Sequence, residues 1–393
     1  MPKIDKDIET FARIKVVGVG GSGGNAVNHM INSKVRSVEF IAMNTDTQDL
    51  HKSLATKKIH IGKNLTKGLG AGMNPDVGRR AAEETKAEIQ DVLKGSDMVF
   101  IACGMGGGTA TGAAPIIAKC AKEQGILTVA VVTKPFAFEG MQRTRLADMG
   151  LQELQKEVDA IIIIPNDRLL AIAGKETTFK DAFAMSDDIL RQAVEGISDL
   201  IGITGNINAD FADIKAVMQD AGSALMGIGL GTGEKRAEMA ALQAINSPLL
   251  DISISGARGV LFAISGGDDL GILEVQEAAR IITESIDKEA KVIFAHLKDD
   301  RLKKGELKIT VIATGFNTDS MPRKSLFPSA TGSSLPNADL GAKDDKKEIH
   351  NSMQTDYVKK PDIKKEDVIN IFDDEADDDW NNSIPAFLRR PKK

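Results

Sequence analysis

The sequence predicts an α/β protein with a doubly wound, mostly parallel sheet, and three observations support this fold class. Short runs rich in Val and Ile alternate with helical segments along the first half of the chain. Glycine-rich stretches follow several of these predicted strands, at the edge where parallel sheets bind ligands. Hydrophobic residues form 42% of the 393 residues but aromatic residues only 4%, which is typical of a core filled by aliphatic side chains.

The stretch 98–121 carries the strongest single signal. It predicts a strand over Met98–Ala102, a glycine loop, and a helix with Pro115 in its first turn. Backbone N–H groups of such a loop can approach an anion closely, and the positive end of the helix dipole faces the same place. Thr109 and Thr111 add hydroxyl donors. A tight turn with threonine caps is the structural alternative, but the five glycines favour phosphate binding: Gly104, Gly106, Gly107, Gly108 and Gly112.

Two further glycine loops are predicted at the same edge of the sheet. The strand Ile14–Val19 leads into a G-x-G-x-x-G spacing that begins at Gly18, with a helix predicted from Asn25. A strand over Val38–Met43 is followed by the loop Lys67–Gly72 and by a helix over Asp76–Leu93. The first spacing alone is weak evidence, because it also serves merely to pack a helix onto a strand.

Two more strands, Ile126–Val132 and Ile161–Ile164, complete the predicted first sheet. Between them, Glu139 and Arg143 lie one helical turn apart. By themselves they are explained by a surface ion pair that contributes a few tenths of a kcal/mol.

A long helix is predicted over Thr178–Ile201, with Thr178 as its cap and an apolar face at helical spacing. Phe183 and Asp187 share one face of this helix. A ring and a carboxylate so placed can stack on a base and bridge the N1–H and 2-amino donors of guanine. From the residues alone, a solvated carboxylate at the helix surface, next to Asp188, is the favoured interpretation.

The segment Asn206–Met218 is acidic at its start and apolar at its end. Asn208, Asp210 and Asp213 precede or open a short helix, where one aspartate is explained as an N-cap. Two carboxylates and an amide within six residues can also orient a water molecule or a cation-bound phosphate.

The second half predicts a smaller α/β domain with a mixed sheet and a structural or interfacial role. We expect a glycine hairpin from Gly227, followed by these elements: helix Glu234–Ile245, strand Val260–Ile264, helix Leu270–Ile286, strand Val292–Ala295 and strand Leu307–Thr314.

The end of the chain changes character. Residues 317–379 are polar and aperiodic, which predicts a disordered linker. The last residues, 380–393, are apolar and basic and hold the only tryptophan, which predicts a peptide that docks on a partner. Its docking residues are Ile384, Pro385, Phe387, Leu388 and Arg389.

Composition excludes several classes. A net charge of -6 argues against general nucleic-acid binding. The two cysteines lie in apolar segments, and the five histidines are scattered, so neither a disulfide framework nor a dedicated metal cluster is predicted. The start lacks a secretory signal, and no apolar run is long enough to span a membrane. We therefore expect a cytoplasmic protein without direct membrane insertion.

These pieces together resemble the FtsZ family of bacterial tubulin-like division GTPases. The resemblance covers residues 12–316 and the terminal peptide. Its motifs are GVGGSGGNAV (18–27), KGLGAGMNP (67–75), GMGGGTATG (104–112), TKPFAFEGMQR (133–143), IIPNDRL (163–169), NADFAD (208–213) and IPAFLRR (384–390).

The resemblance implies a tubulin-like GTPase domain (12–177) joined by a central helix (178–202) to a smaller mixed-sheet domain (203–316). A flexible N-terminus (1–11), the disordered linker and the docking peptide complete the chain. It implies a GTPase that polymerises head to tail, with Mg²⁺ bridging the β- and γ-phosphates. Its tail would dock membrane tethers and regulators of the division ring at the septum.

The resemblance also implies roles for single residues. Asn208, Asp210 and Asp213 would enter the nucleotide site of the next subunit and help polarise the attacking water. The residues implied to bind GTP are Gly20, Gly21, Ser22, Gly23, Gly24, Asn25, Gly72, Gly107, Gly108, Thr109, Ala110, Thr111, Glu139, Arg143, Asn166, Phe183 and Asp187.

One position departs from the family pattern. Family members usually carry glycine where this chain has Ala110, and alanine disfavours a positive φ. We expect ordinary dihedral angles there, and therefore a small effect on GTP turnover.

Two other functions compete with this interpretation. An NAD-binding oxidoreductase would use the first glycine motif and an acidic residue such as Asp46 for the ribose. A non-hydrolysing scaffold would use its tail as the only binding element. The first leaves both the loop at 104–112 and the acidic cluster at 208–213 unexplained. The second predicts filaments that Asp210→Ala does not affect.

Overall fold

The computed structural model describes residues 12–174, 176–202, 209–247, 253–267, 269–299 and 301–316. The predicted N-terminal segment 1–11, the linker 317–379, the docking peptide 380–393 and the predicted catalytic Asn208 lie outside the described residues.

Ten strands form one sheet in the order β3-β2-β1-β4-β5-β6-β7-β10-β8-β9. The strands are β1 (Ile14–Val19), β2 (Val38–Asn44), β3 (Lys57–His60), β4 (Met98–Gly104), β5 (Leu127–Lys134), β6 (Ala160–Pro165), β7 (Gly222–Thr232), β8 (Gly259–Gly266), β9 (Lys291–Lys298) and β10 (Glu306–Thr314).

The first six strands are parallel, and β1 lies between β2 and β4. The order of strands therefore reverses beside β1, and this is the switch point where open α/β sheets bind ligands. The second half is mixed: β10 is antiparallel to both β7 and β8, whereas β9 is parallel to β8. The parallel pairing of β6 with β7 joins the halves over three residue pairs. The predicted fold class is confirmed.

Helices cover both faces of the sheet. They are α1 (Gly20–Asn32), α2 (Thr47–Lys52), α3 (Lys63–Thr66), α4 (Pro75–Glu84), α5 (Lys86–Leu93), α6 (Thr109–Lys122), α7 (Met141–Glu157), α8 (Asn166–Ile172), α9 (Phe179–Gly202), α10 (Phe211–Met218), α11 (Arg236–Ile245) and α12 (Ile272–Glu284), with a 3₁₀ turn over Ala137–Glu139. Among the described residues, no helix is both long and apolar enough to cross a membrane.

Three buried clusters form the core. One packs α1, α9 and α10 against the sheet, a second packs α4 to α7 against its other face, and a third lies under α11 and α12. The helix α9 contributes 24 residues and begins after Thr178, whose hydroxyl accepts the Asp181 N–H as predicted for a cap. It therefore runs as a rod beside the sheet.

The two principal glycine stretches differ from the prediction. Helices α1 and α6 begin at Gly20 and Thr109, so part of what was expected to be loop is the first turn of a helix. Pro115 consequently lies in the interior of α6 and not in its first turn. Side chains that normally favour a helix are missing from these turns, which is why the pattern indicated loops.

The predicted helix Asp76–Leu93 is also wrong in detail, because the chain forms two helices. The break falls at Thr85, where φ is -103° and ψ is 14°. The Thr85 hydroxyl accepts the Gly62 N–H and donates to the Ala81 carbonyl. These hydrogen bonds to the backbone compete with a continuous helix.

The expected glycine hairpin from Gly227 is wrong. Gly227, Gly229 and Gly231 lie within one continuous strand, β7, where they face α11. A Cβ at each of the three would lie 1.9 Å from a backbone carbonyl oxygen of α11. Glycine at every second position therefore allows close packing of a helix on a strand.

Candidate functional site

A cleft of about 270 Å³ opens at the carboxyl ends of β1 and β4, at the switch point of the sheet. Its lining comes from the starts of α1, α6 and α8, from the segment after β5 and from one face of α9. The lining residues are Gly20, Gly21, Ser22, Gly104, Met105, Gly107, Gly108, Thr109, Ala110, Thr133, Pro135, Glu139, Arg143, Asn166, Phe183, Ser186 and Asp187.

One end of the cleft is suited to anions. The N-termini of α1 and α6 both meet there, so free backbone N–H groups and two positive dipole ends converge. An added Cβ at Gly107 would meet no atom within 4 Å, which means that glycine keeps this surface bare. Gly20 has a φ of +72°, which favours glycine at the turn from β1 into α1.

Two hydrogen bonds that involve threonine hydroxyl groups stabilise the glycine-rich turn before α6. Thr45 and Thr109 share a hydrogen bond of 2.6 Å between their hydroxyl oxygens. Thr111 accepts the Gly106 N–H at 2.9 Å. Side-chain hydrogen bonds therefore stabilise the turn before α6.

Glu139 and Arg143 form the ion pair that their spacing predicts, but not on open surface. Both line the cleft. The Glu139 side chain is only 12% exposed, and it also accepts the Phe136 N–H. A charged pair at the rim of the cleft can meet a ribose or a phosphate while it remains neutral overall.

The other end of the cleft is suited to a flat polar ring. Phe183 contacts Phe136 and Phe179, with ring centroids 5.3 and 4.9 Å apart, so its own ring is held firmly. Asp187 lies one turn further along α9, and burial raises the pKa of its carboxyl to about 6. In the part of the chain that the structure describes, this carboxylate accepts no hydrogen bond, although the nearby His29 acts to lower its pKa.

Asn166 and Ser186 complete this end. The Ser186 hydroxyl donates to the Asn166 Oδ1 at 3.0 Å, and both residues are 4% exposed. Asn166 was named from the resemblance, whereas Ser186 was missed. Its position three residues after Phe183 and one before Asp187 is the only local signal that could have pointed to it.

The predicted GTP-binding residues fall into two groups. The structure brings twelve of them into the cleft: Gly20, Gly21, Ser22, Gly107, Gly108, Thr109, Ala110, Glu139, Arg143, Asn166, Phe183 and Asp187. Five others do not line it: Gly23, Gly24, Asn25, Gly72 and Thr111.

The residues outside the cleft have visible structural roles or neighbouring positions. Gly24 and Asn25 line a smaller groove between α1 and α2. At Gly23 a Cβ would lie 2.4 Å from the Ala102 carbonyl oxygen, so this glycine packs α1 on β4. Gly72 belongs to a left-handed turn with a φ of +56°. Four other residues that line the cleft belong to the quoted motifs but were not predicted to bind GTP: Gly104, Met105, Thr133 and Pro135.

The acidic residues at the start of α10 lie apart from the cleft. Asp210 occupies the N-cap position, but its side chain makes no capping hydrogen bond. Asp210 and Asp213 are both exposed. In the described residues neither carboxylate forms a hydrogen bond or ion pair, so the capping interpretation explains neither of them.

The helix α9 runs away from the cleft. Asp187 lies near its start, and Gly202 is its last residue. At 1.5 Å per residue, these two positions are about 22 Å apart along the helix axis. The segment that follows α10 meets the sheet at the amino end of β6, where the Gly222 N–H donates to the Asp159 carbonyl. The cleft lies at the carboxyl ends of the strands, and neither Asp210 nor Asp213 lines it.

A second cleft of about 270 Å³ lies between α9, the turn after α1 and the end of β9. Its central acid, Glu195, pairs with Arg191 and Arg301. Burial and the neighbouring Glu195 raise the pKa of Asp199 to about 6. These charged side chains mainly form ion pairs with one another. Among the described residues, no glycine turn or helix N-terminus faces them. The features suited to phosphate binding therefore belong to the first cleft.

Comparison with known families agrees with this geometry. Residues 13–174 match the GTPase domain of the tubulin/FtsZ family, and residues 222–317 match the C-terminal domain of the FtsZ family. A solved structure described as an empty FtsZ dimer of M. jannaschii is 44% identical, with a TM-score of 0.75. That alignment covers 78% of this chain and 89% of the other. This chain belongs to the FtsZ family.

A second FtsZ structure from M. jannaschii, that of a point mutant, is 43% identical with a TM-score of 0.75, and covers 78% of this chain and 92% of its own. CetZ2 from Haloferax volcanii, solved as a GTPγS-bound protofilament, is 21% identical with a TM-score of 0.67. It covers 78% of this chain and 94% of its own, and at this identity it supports the fold alone. The cleft therefore lies in the GTPase domain of an FtsZ-family protein.

Proposed function

We propose that this protein is a cell-division GTPase that polymerises head to tail into the filaments of a cytokinetic Z ring. One subunit holds GTP, and the acidic turn of the next subunit completes the hydrolytic site. The observation that carries the proposal is the separation described above. The features suited to a nucleotide line the cleft, whereas the exposed carboxylates Asp210 and Asp213 do not line it and have no partner among the described residues.

Nucleotide binding would use both ends of the cleft. The phosphates would lie against the N-termini of α1 and α6, where backbone N–H groups and the Thr109 hydroxyl can donate. Glu139 and Arg143 would meet the ribose and phosphate side. Guanine would stack on Phe183, with its N1–H and 2-amino group donating to Asp187.

Hydrolysis would need a second subunit. Water attacks the γ-phosphorus, the bond to the β–γ bridging oxygen breaks, and GDP and phosphate leave. The exposed carboxylates Asp210 and Asp213, together with Asn208, would orient and polarise that water from the neighbouring chain. A heterologous contact of this kind does not close on itself, so it extends into a filament.

Mg²⁺ is the metal that phosphoryl transfer ordinarily uses. Among the described residues, no group of three or more His, Cys, Asp or Glu side chains could hold a metal. We propose that phosphate oxygens and water would be the main ligands of Mg²⁺. When bound, Mg²⁺ would neutralise charge that develops on the phosphates.

The remaining parts of the proposal concern partners and location. We infer that the protein acts in the cytoplasm at the septum, with no nucleic-acid partner. The terminal peptide, with Ile384, Pro385, Phe387, Leu388 and Arg389, would dock membrane tethers and regulators of the division ring. These residues lie outside the described ones, so the support is their apolar and basic sequence.

The oxidoreductase alternative has little support. Asp46, which would have to hold the ribose of NAD, caps α2 by accepting the Gln48 and Asp49 N–H groups. Chromatography of nucleotide released from denatured protein separates the two functions. We expect GDP or GTP, and NAD would contradict the proposal.

Complementation between two inactive variants tests the shared site directly. Asp210→Ala keeps the cleft, and we expect it to bind GTP but hydrolyse it poorly. Asp187→Ala keeps the acidic turn and should bind GTP weakly. Mixed together they can form junctions with an intact cleft and an intact turn, so hydrolysis should return at concentrations that allow assembly.

Wild-type protein provides the control. Its hydrolysis rate per subunit should rise from near zero above a threshold concentration. A rate per molecule that is independent of dilution would contradict a site built from two subunits. Unimpaired hydrolysis by Asp210→Ala would instead show that the acidic turn at the start of α10 takes no part in hydrolysis.

A further inference from the structure

We propose that Ser186 is a positioning residue that sets the preference of the cleft for guanine. It does so by holding the Asn166 carboxamide through a hydrogen bond to its Oδ1, which leaves the amide nitrogen for the ligand. The inference rests on the proposed binding of a guanine nucleotide in this cleft.

The geometry places the two side chains in a buried contact. Asn166 follows β6 directly, and Ser186 lies on the inner side of α9. The Ser186 hydroxyl donates to Oδ1 of Asn166 at 3.0 Å, and each residue is 4% exposed. Within the described residues, no other side chain bonds to this carboxamide. The serine therefore leaves Nδ2, a donor, as the end available to the cleft.

This orientation matters because a carboxamide has one accepting and one donating end of nearly equal size. A half-turn about the last side-chain bond exchanges them with little steric cost. If Oδ1 faced the cleft, the cleft would hold two acceptor groups, because Asp187 also lines it. A serine hydroxyl can bond either end of the amide, but here it donates to Oδ1 and so stabilises the orientation that leaves Nδ2 free. In that orientation the cleft presents one donor and one double acceptor.

Guanine matches that pattern. Its N1–H and 2-amino group supply two adjacent donors to Asp187, and its N3 and O6 are acceptors that flank them. Adenine offers a single exocyclic donor, which would leave one oxygen of a partly buried carboxylate unpaired. Asn166, held by Ser186, would donate from Nδ2 to one of these acceptors of the same base.

A double-mutant cycle tests whether the serine acts through the asparagine. The variants are Ser186→Ala, Asn166→Ala and the double variant, with Ser186→Thr as the control that keeps the hydroxyl. Affinities of nucleotide-free protein for GDP and ADP are measured by competition against a fluorescent GDP, with thermal unfolding as a check of the fold. Ser186→Ala should lower the preference for GDP over ADP about tenfold, and Ser186→Thr should keep most of it.

The decisive outcome is non-additivity. The double variant should bind GDP no more weakly than Asn166→Ala, because removing the serine has no further effect once the carboxamide is absent. Additive losses, or an unchanged GDP preference in Ser186→Ala, would overturn the inference. A wild-type protein that binds no guanine nucleotide would contradict the proposed function instead, so the two failures are distinguishable.

Discussion

Two groups of glycines, one in each half of the sheet, serve opposite purposes. In the first half, glycine stands at the start of α1 and just before α6, and a Cβ at Gly107 would meet nothing within 4 Å. In the second half, glycine alternates along β7, and a Cβ at Gly229 would lie 1.9 Å from the Ala240 carbonyl oxygen. One set keeps a surface bare, and the other lets a helix approach a strand. A glycine leaves the surface of the cleft bare where an added Cβ meets no neighbouring atom, as at Gly107, whereas Gly23 in the same half packs a helix on a strand.

The strongest test of this contrast is Gly229→Ala. The methyl group would overlap the backbone of α11, which cannot move without disturbing its packing on β7. We expect the free energy of unfolding to fall by about 3 kcal/mol, measured by denaturant unfolding. Leu230→Ala is the matched control, because Leu230 is exposed and its truncation should cost less than about 1 kcal/mol. Equal effects would show that the close approach to α11 does not matter.

Gly107→Ala tests the other half of the contrast. The added methyl group meets no protein atom, so stability should change by less than about 0.5 kcal/mol. The same methyl group would occupy space at the phosphate end of the cleft, and we expect GDP affinity to fall about tenfold or more. Calorimetric titration and thermal unfolding measure the two effects separately. A stability loss without an affinity loss would reverse the assignment of this glycine.

The pH dependence of binding tests the base end of the cleft. Burial raises the pKa of Asp187 to about 6 in the folded protein, above its ordinary value of 3.8. Above pH 6, ionisation of Asp187 therefore lowers the free energy of unfolding of the nucleotide-free protein. This loss disappears as the pH falls from 6 towards 3.8.

GDP affinity should change in the opposite direction, because the guanine donors need the ionised carboxylate. We expect a loss of about tenfold between pH 7 and pH 5 from this group. Asp187→Asn is the control, and whatever pH dependence it retains belongs to other groups such as the phosphates. Identical profiles for wild type and variant would remove Asp187 from base recognition.

The smallest expected effect concerns Ala110. Its φ is not positive, as expected from the sequence. The residue lies in the first turn of α6 and is 5% exposed. Ala110→Gly should lower stability by about 1 kcal/mol, because glycine weakens a helix. GTP turnover per subunit should change by less than tenfold, or about 1.4 kcal/mol. A larger gain in turnover would show that the methyl group impairs the phosphate turn.

Much of the fold could be predicted from the sequence because its signals are local. Each predicted strand of the first sheet agrees with the structure to within two residues, since runs such as Ile14–Val19 are β-branched and end at glycine. The starts of α1 and α6 could not be placed, because glycine masks the helical pattern there. The alternating glycines of β7 resembled a turn, and only the approach of α11 explains them.

The site was less predictable than the fold. The motifs indicated the residues at the phosphate end, because glycine and threonine at that spacing have few other uses. Ser186 could not be found in this way, since its role depends on a contact with Asn166 across 20 positions of chain. Whether the chosen residues contact GTP stays a prediction.

Gly202 allows a close contact between the last residue of α9 and the segment after α1. The first turn of α1 faces the cleft, and Ser37 lies against Gly202, where a Cβ would lie 2.3 Å from the serine oxygen. Thirteen residues of helix span about 20 Å. Because Gly202 has no side chain, the residues after α1 pack directly on the end of the same helix that carries Phe183 and Asp187 near its start.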